Sequence, residues 1–282
     1  MKTQLTKLIL FYLVVVFAFT ACTTKDNDPK PDNGAGANTV SGKAVDAQGN
    51  PLAGVKVRAE NPTGYNIYVD GTTGPDGKYS LPLSTVGGWK IYAWKEVEYK
   101  GKIYHLRLGM NDDKDYDAFT AGDKGAVKNF VWKLSGRIAD RGADIKSGAG
   151  YFGGSLRFVN DNAVVPAMVA GTQVTVTLTP TPNAKYLDGT PTSTTNPIIK
   201  SFTINSDTDQ NYYISDIPVT EYHISIMSER NNSKKQVYLG EKYGNLYEWL
   251  EFDFNPVGGS SGTYESGILT PTNTPFYMGQ KN

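Results

Sequence analysis

The chain reads as an all-β protein, two consecutive β-sandwich domains preceded by an export signal and a flexible tether. Three observations predict this. Thirty glycines and eighteen tyrosines, with many threonines and valines, make up the composition of short strands joined by tight turns. Leucine-rich runs of helical period are few. A length of 282 residues accommodates two domains of ordinary size, about 100 to 150 residues each.

The N-terminus carries Lys2 and Lys7, then the apolar run LILFYLVVVFAF, Leu8 to Phe19, then Thr20 and Ala21. A basic start, a short apolar stretch and small residues are the plan of a signal peptide, here over 1–21, and the run is short for a membrane span. The chain's one cysteine, Cys22, follows directly. The stretch FTAC resembles the bacterial lipobox, with Phe19 where leucine is usual. That resemblance implies cleavage before Cys22 and a diacylglycerol on its sulfur, each buried methylene adding about 0.8 kcal/mol of membrane affinity. Ordinary secretion with an incidental free thiol is the alternative. Residues 22–38 are polar and rich in Asp, Pro and Gly, so they bury too little to order themselves and act as a tether. Asp26, Asn27 and Asp28 resemble the export signal of surface lipoproteins in the Bacteroidetes group, which implies an outer-membrane lipoprotein facing outward.

From Thr39 the pattern changes to alternation. Val40 to Val45 and Val55 to Ala59 flank a Gly49-Asn50-Pro51 turn, and Gly74-Pro75-Asp76-Gly77 forms a second hairpin-like corner. GKAVDAQGNPLAGVKV followed by TTGPDGKYSL closely resembles the carboxypeptidase regulatory-like family over 39–134. Its members have the transthyretin-like, or prealbumin-like, β-sandwich. The resemblance implies a sandwich that accompanies a peptidase and carries no catalytic residues itself. Downstream, WKIYAWKEVEYKGKIYHLRL reads as a long hairpin. A two-residue Lys100-Gly101 loop pairs Tyr99 with Lys102, Glu98 with Ile103, Glu96 with His105 and Trp94 with Arg107. One face then carries Trp89, Ile91, Ala93, Val97, Tyr104, Leu106 and Leu108 toward a core. The other sets Trp94 beside Arg107 and Glu96 beside His105. That face is either a patch for sugars or a protein partner, or ordinary cross-strand pairing with an arginine over an indole. Asn129 to Leu134 closes the sheet, with Phe130, Trp132 and Leu134 inward.

Residues 135–149 hold little apolar content and read as a connector to a second sandwich over 150–282. There GGSLRFVN and VTVTLT are strands, the latter with Val174, Val176 and Leu178 on one face. Sliding the chain by 133 residues lays Asp76 to Ala93 over Asp209 to Ile226 and matches Tyr79 with Tyr212, Leu81 with Ile214, Val86 with Val219, Trp89 with Tyr222 and Ile91 with Ile224. This frame predicts a duplication. SDIPVTEYHISI resembles a stretch common in such sandwiches, with Thr220 where glycine is usual. Leu246 to Phe254 alternates as one strand with Tyr247 and Trp249 on its more polar side. These rings stack either on sugar faces or on a neighbouring loop or domain. The remaining tail reads as loop apart from Ile268-Leu269.

Catalytic and metal chemistry find little support. The only histidines, His105 and His223, fall in different halves, and no G-x-S-x-G elbow occurs. Glu96 with Glu98, and Glu248 with Glu251, are strand neighbours that need a cleft to act as paired carboxylates. Asp113, Asp115 and Asp117 have the alternate spacing of calcium ligands but lack the glycine and glutamate of an EF-hand; Asp207, Asp209 and Asn211 repeat it. Lys plus Arg equals Asp plus Glu at 28 each, so no net field gathers nucleic acid. The expectation is a non-enzymatic cell-envelope lipoprotein without cofactor. It is held at the membrane by its lipid and binds a polysaccharide or envelope protein, with Trp94, Arg107, Tyr247 and Trp249 as candidate contacts. A pilus or adhesin subunit is the first rival, supported by exchange of a terminal strand and opposed by a self-contained one. A sandwich hydrolase, which needs a deep cleft, is the second.

Overall fold

The computed structural model describes residues 36–160, 168–207, 210–254, 267–268 and 275–280. The signal segment, Cys22, the tether up to residue 35, Asp209 and Leu269 lie outside them. The described residues form one compact unit, predominantly all-β.

The first half contains β1 (Thr39–Val45), β2 (Lys56–Glu60), β3 (Tyr68–Thr72), β4 (Lys78–Pro82), β5 (Lys90–Tyr99), β6 (Lys102–Arg107), β7 (Ala126–Val127) and β8 (Phe130–Val131). They build two four-stranded sheets, β4-β1-β7 with β8 also on β1, and β3-β2-β5-β6. Period-two alternation turns Val40, Ala44 and Leu81 of one sheet and Val57, Ala59 and Ile91 of the other into a shared core. The two glycine turns do not close hairpins as expected. β1 pairs with β4 and β2 with β3, so each turn carries the chain from one sheet to the other. Gly77, at φ 74°, closes the second corner by donating to Gly74 O. At Gly42 the reason for glycine is space: a Cβ there would lie 1.8 Å from Lys128 O, where the chain steps between β7 and β8.

The second half contains β9 (Gly154–Asn160), β10 (Gln173–Pro180), β11 (Ile198–Thr203), β12 (Gln210–Ile217), β13 (Glu221–Arg230), β14 (Ser233–Lys242), β15 (Asn245–Tyr247), β16 (Trp249–Asp253) and β17 (Phe276–Gly279). They form one nine-stranded sheet in the order β11-β10-β13-β14-β17-β9-β12, with β15 on β14 and β16 on β13. This repeats the first half. The path β3-β2-β5-β6 corresponds to β11-β10-β13-β14, and β4-β1 to β12-β9. β1 takes β7 and β8 in parallel, as β9 takes β17. The Gly109–Val131 bridge links the two first-half sheets where β14 and β17 pair in the second. Of the matched residues, Tyr79, Leu81, Trp89 and Ile91 are buried like Tyr212, Ile214, Tyr222 and Ile224, whereas Val86 is exposed and Val219 buried. Thr220 keeps its place through a hydroxyl that donates to Lys185 O at 2.9 Å. β17 lies in a stretch that sequence pattern read as loop, because four residues are too few to establish a period.

The halves share side chains. Lys100 (φ 49°) and Gly101 (φ 75°) form the expected tight turn, and the β5–β6 register is the expected one throughout. The base of this hairpin, with Ile91, Ala93 and Leu108, packs in the first core, while Tyr104 and Leu106 near its tip pack in the second. Trp132 also enters the second core, and Ile138 and Phe152 enter the first. Between them the hollow beside Trp132, Phe152 and Leu187 amounts to about 10 Å³. Asp216, at φ 63°, accepts from Gly136 N at 2.7 Å and Gly153 N at 3.2 Å. The 135–149 segment is therefore packed structure, despite its low apolar content.

Candidate ligand-binding surface

β14 leaves β13 after Val237, and β16 takes its place beside the first half of β13. The Gln236 amide fills this fork, donating toward Ile226 O at 3.1 Å, Val237 O at 3.0 Å and Glu248 O at 2.9 Å. The single strand expected over 246–254 is thus broken at Glu248 into β15 and β16, each with a different neighbour. Alternation continues through the break. Leu250 and Phe252 turn inward, and Tyr247 and Trp249 turn outward at 57% and 54% exposure.

Trp249 does not project alone. Its ring stacks on His223 of β13 at 4.6 Å between centroids and 22° between planes. Tyr247 and Leu250 form a ridge between two hollows. One, about 560 Å³, is bounded by Tyr238, Leu246, Glu248 and Trp249; the other, about 250 Å³, by Glu241, Lys242, Asn245 and Glu251. Tyr238 donates its hydroxyl to Glu248 Oε1 at 3.2 Å, and that carboxylate pushes the phenol pKa up. The surface therefore offers apolar ring faces next to hydrogen-bonding groups, the mixture that small-ligand sites use.

The other expected patch is differently arranged. Trp94 is buried and touches Tyr92, with ring centroids 6.1 Å apart. Arg58 lies over its indole at 5.8 Å, and Arg107 lies over the Tyr116 ring at 5.7 Å. Arg58 also covers Tyr68 at 3.9 Å and forks onto Asp70 with two 2.7 Å bonds. Arg107 is 2% exposed and reaches Asp140 at 2.9 Å, an acid that also holds Arg141 at 2.7 Å. Burial pulls the Arg107 guanidinium pKa down and Asp140 pulls it back up. The packed 135–149 segment, which sequence pattern read as a mere connector, supplies this cover, so Arg107 is not part of an open face.

The aspartate spacings become local turns. Asp112 caps a 3₁₀ turn at Asp113–Tyr116, Asp115 meets Lys128 at 3.3 Å, and the Tyr116 hydroxyl accepts from Met110 N. Asp207 accepts from Ala170 N at 2.6 Å. Among the described residues no three His, Cys, Asp or Glu side chains converge as metal ligands. Glu221 and Asp253 approach each other, but Lys100 sits between them at 2.5 and 2.8 Å. His105 lies 3.6 Å from Glu96, and neither histidine shares a hollow described above with a pair of carboxylates.

No protein-family model and no curated protein matches the chain. Among solved structures it is similar at low level to the Bacillus anthracis TIE protein, with 10% identity over 79% of this chain and 32% of that one, TM-score 0.26. A streptococcal ancillary pilin shows 10% identity over 84% and 62%, TM-score 0.24. A DUF3823 family protein from Bacteroides uniformis shows 10% over 78% and 100%, TM-score 0.21. The chain spans less than two thirds of the first two.

Proposed function

We propose that this chain is a non-enzymatic, lipid-anchored cell-envelope protein that binds polysaccharide on the Tyr247–Trp249 shelf. Cys22 carries the lipid, residues 22–38 span the gap to the membrane, and two sandwiches of the carboxypeptidase regulatory-like, transthyretin-like kind, 39–134 and 150–282, present the shelf outward. The observation that carries this reading is the exposed Trp249 indole, stacked on His223. A ring packed before binding loses little freedom when a sugar face covers it. An envelope-protein partner is the competing ligand class, and the adhesin reading shares the same non-catalytic surface role. The strand-exchange form of the pilus reading meets a specific obstacle. β17 is the counterpart of β7 and β8, so it serves as an integral strand of its own sheet.

A glycan array paired with a pull-down from envelope extract tests the proposal. Specific glycan signal lost in Trp249→Ala supports it. A bare array with a co-purifying envelope protein replaces it with a scaffold role. Labelled palmitate incorporation that disappears in Cys22→Ala tests the anchor separately.

A further inference from the structure

The second sandwich ends in a mouth whose chemistry differs from its core. Along β13 the inward positions run Tyr222, Ile224, Ile226, each fully buried, and then change to Ser228 and Arg230. Across the pair, Val237 is followed outward by Lys235 opposite Ser228, and by Ser233 opposite Arg230. Just before β10, Thr172 precedes the inward Val174, and just after β17, Gln280 follows the inward Met278. The inward rows of β13 and β14 thus turn polar at Ser228 and Lys235, and Thr172 and Gln280 add polar groups just beyond the ends of β10 and β17. The result is a cavity of about 370 Å³ lined by Val169, Thr172, Arg230, Asn231, Lys235 and Gln280, with Ser233 at its edge. That volume is within the range of small-molecule sites, roughly 300 to 1,000 Å³.

The floor is tied together by hydrogen bonds. Gln280 Nε2 donates to Ser228 Oγ, which donates to Lys235 O at 3.2 Å, and Thr172 Oγ1 donates to Val169 O at 2.7 Å. Among the described residues neither Arg230 nor Lys235 forms an ion pair, and the lining contains no carboxylate. Among the described residues, Glu229, on the opposite face of β13, pairs with Lys234 at 3.6 Å, and Asp207 accepts from Ala170 N at 2.6 Å. Polar residues at the end of a sandwich often do no more than meet water. Here two cations that form no ion pair among the described residues, two amides and two hydroxyls line one concave volume.

We infer that this mouth is a second binding site, separate from the aromatic shelf, for an acidic saccharide such as a uronic acid. Arg230 and Lys235 take the carboxylate, the arginine through paired N–H donors. Asn231, Gln280, Ser233 and Thr172 meet the sugar hydroxyls, and Val169 covers an apolar edge.

Titration of the isotope-labelled full chain with glucuronate, glucose and inorganic sulfate, followed by amide NMR, tests this. Glucuronate is expected to give saturable shifts at Thr172, Arg230, Asn231 and Gln280, while glucose and sulfate leave them in place. Arg230→Gln with Lys235→Gln is expected to weaken glucuronate about tenfold or more. Both residues are exposed, so the variant keeps its fold, which its melting curve verifies. Trp249→Ala is expected to leave the glucuronate shifts unchanged, so a failed shelf and a failed mouth read differently. Absence of saturable shifts, equal response to glucose or sulfate, or glucuronate binding that survives the double substitution overturns the inference.

Discussion

Lys100 Nζ lies 2.5 Å from Glu221 Oε1 and 2.8 Å from Asp253 Oδ2, tying the tip of the β5–β6 hairpin to the β13–β16 pair of the second half. The side chains are about 36%, 46% and 35% exposed, so solvent screens the attraction and only a modest stabilisation follows.

Lys100→Asn removes the ammonium and keeps a residue tolerant of the positive φ that the turn requires. The expected loss at pH 7 is about 0.5 kcal/mol, at most about 1. Lys100 holds the Glu221 carboxyl below its usual pKa of 4.5. A depressed acid stabilises the fold above its unfolded pKa and loses that contribution as pH falls through the folded value. Denaturant curves of the two proteins should therefore differ at pH 7, converge as pH falls through the lowered Glu221 value, and converge in high salt.

Asp140→Ala withdraws the carboxylate from between Arg107 and Arg141 and leaves two guanidinium groups facing each other. A loss of about 3 kcal/mol is expected, as for breaking other buried ion pairs. Arg107→Met in the same chain should recover much of it, because an apolar side chain of similar length does not need the lost partner. A double-mutant cycle in urea measures both, and equal stability of the single and double variants would show that the pair is not coupled.

Asp216→Gly separates backbone strain from hydrogen bonding. Glycine relieves the 63° φ but cannot accept from Gly136 N and Gly153 N. A net loss of about 1–2 kcal/mol is expected, since two acceptor bonds outweigh one relaxed dihedral. Faster amide exchange at Gly136 and Gly153 would place the loss at this tie.

A fragment of residues 39–134 would expose Tyr104, Leu106 and Trp132, which pack in the second core. It should bind a hydrophobic dye and melt less cooperatively than the full chain. A soluble fragment with a sharp transition and no dye binding would show that the first half closes without its neighbour.

Trp249→Ala and Tyr247→Ala should leave the melting temperature within a degree or so, because both rings are more than half exposed and surface changes usually cost less than about 0.5 kcal/mol. Any glycan binding on the shelf should fall at the same time. Binding lost together with stability would assign the rings a packing role.

Local pattern was enough for the all-β class, the strands of alternating valine and threonine, the Lys100-Gly101 hairpin with its register, and the 133-residue repeat. Each follows from side-chain period or turn chemistry within a few residues. The outward aim of Tyr247 and Trp249 was legible for the same reason. Tertiary structure decided what lies over each face. Arg107 and Trp249 both occupy outward positions on strands, yet Asp140 and its segment cover the first while the second stays open. It also decided that the hairpin serves two cores, that four residues at Phe276–Gly279 complete a sheet, and that the polar ends of β13 and β14 line one mouth with Thr172 and Gln280. Period along a strand determines which way a side chain points. What it meets there depends on segments distant in sequence, and only folding brings them together.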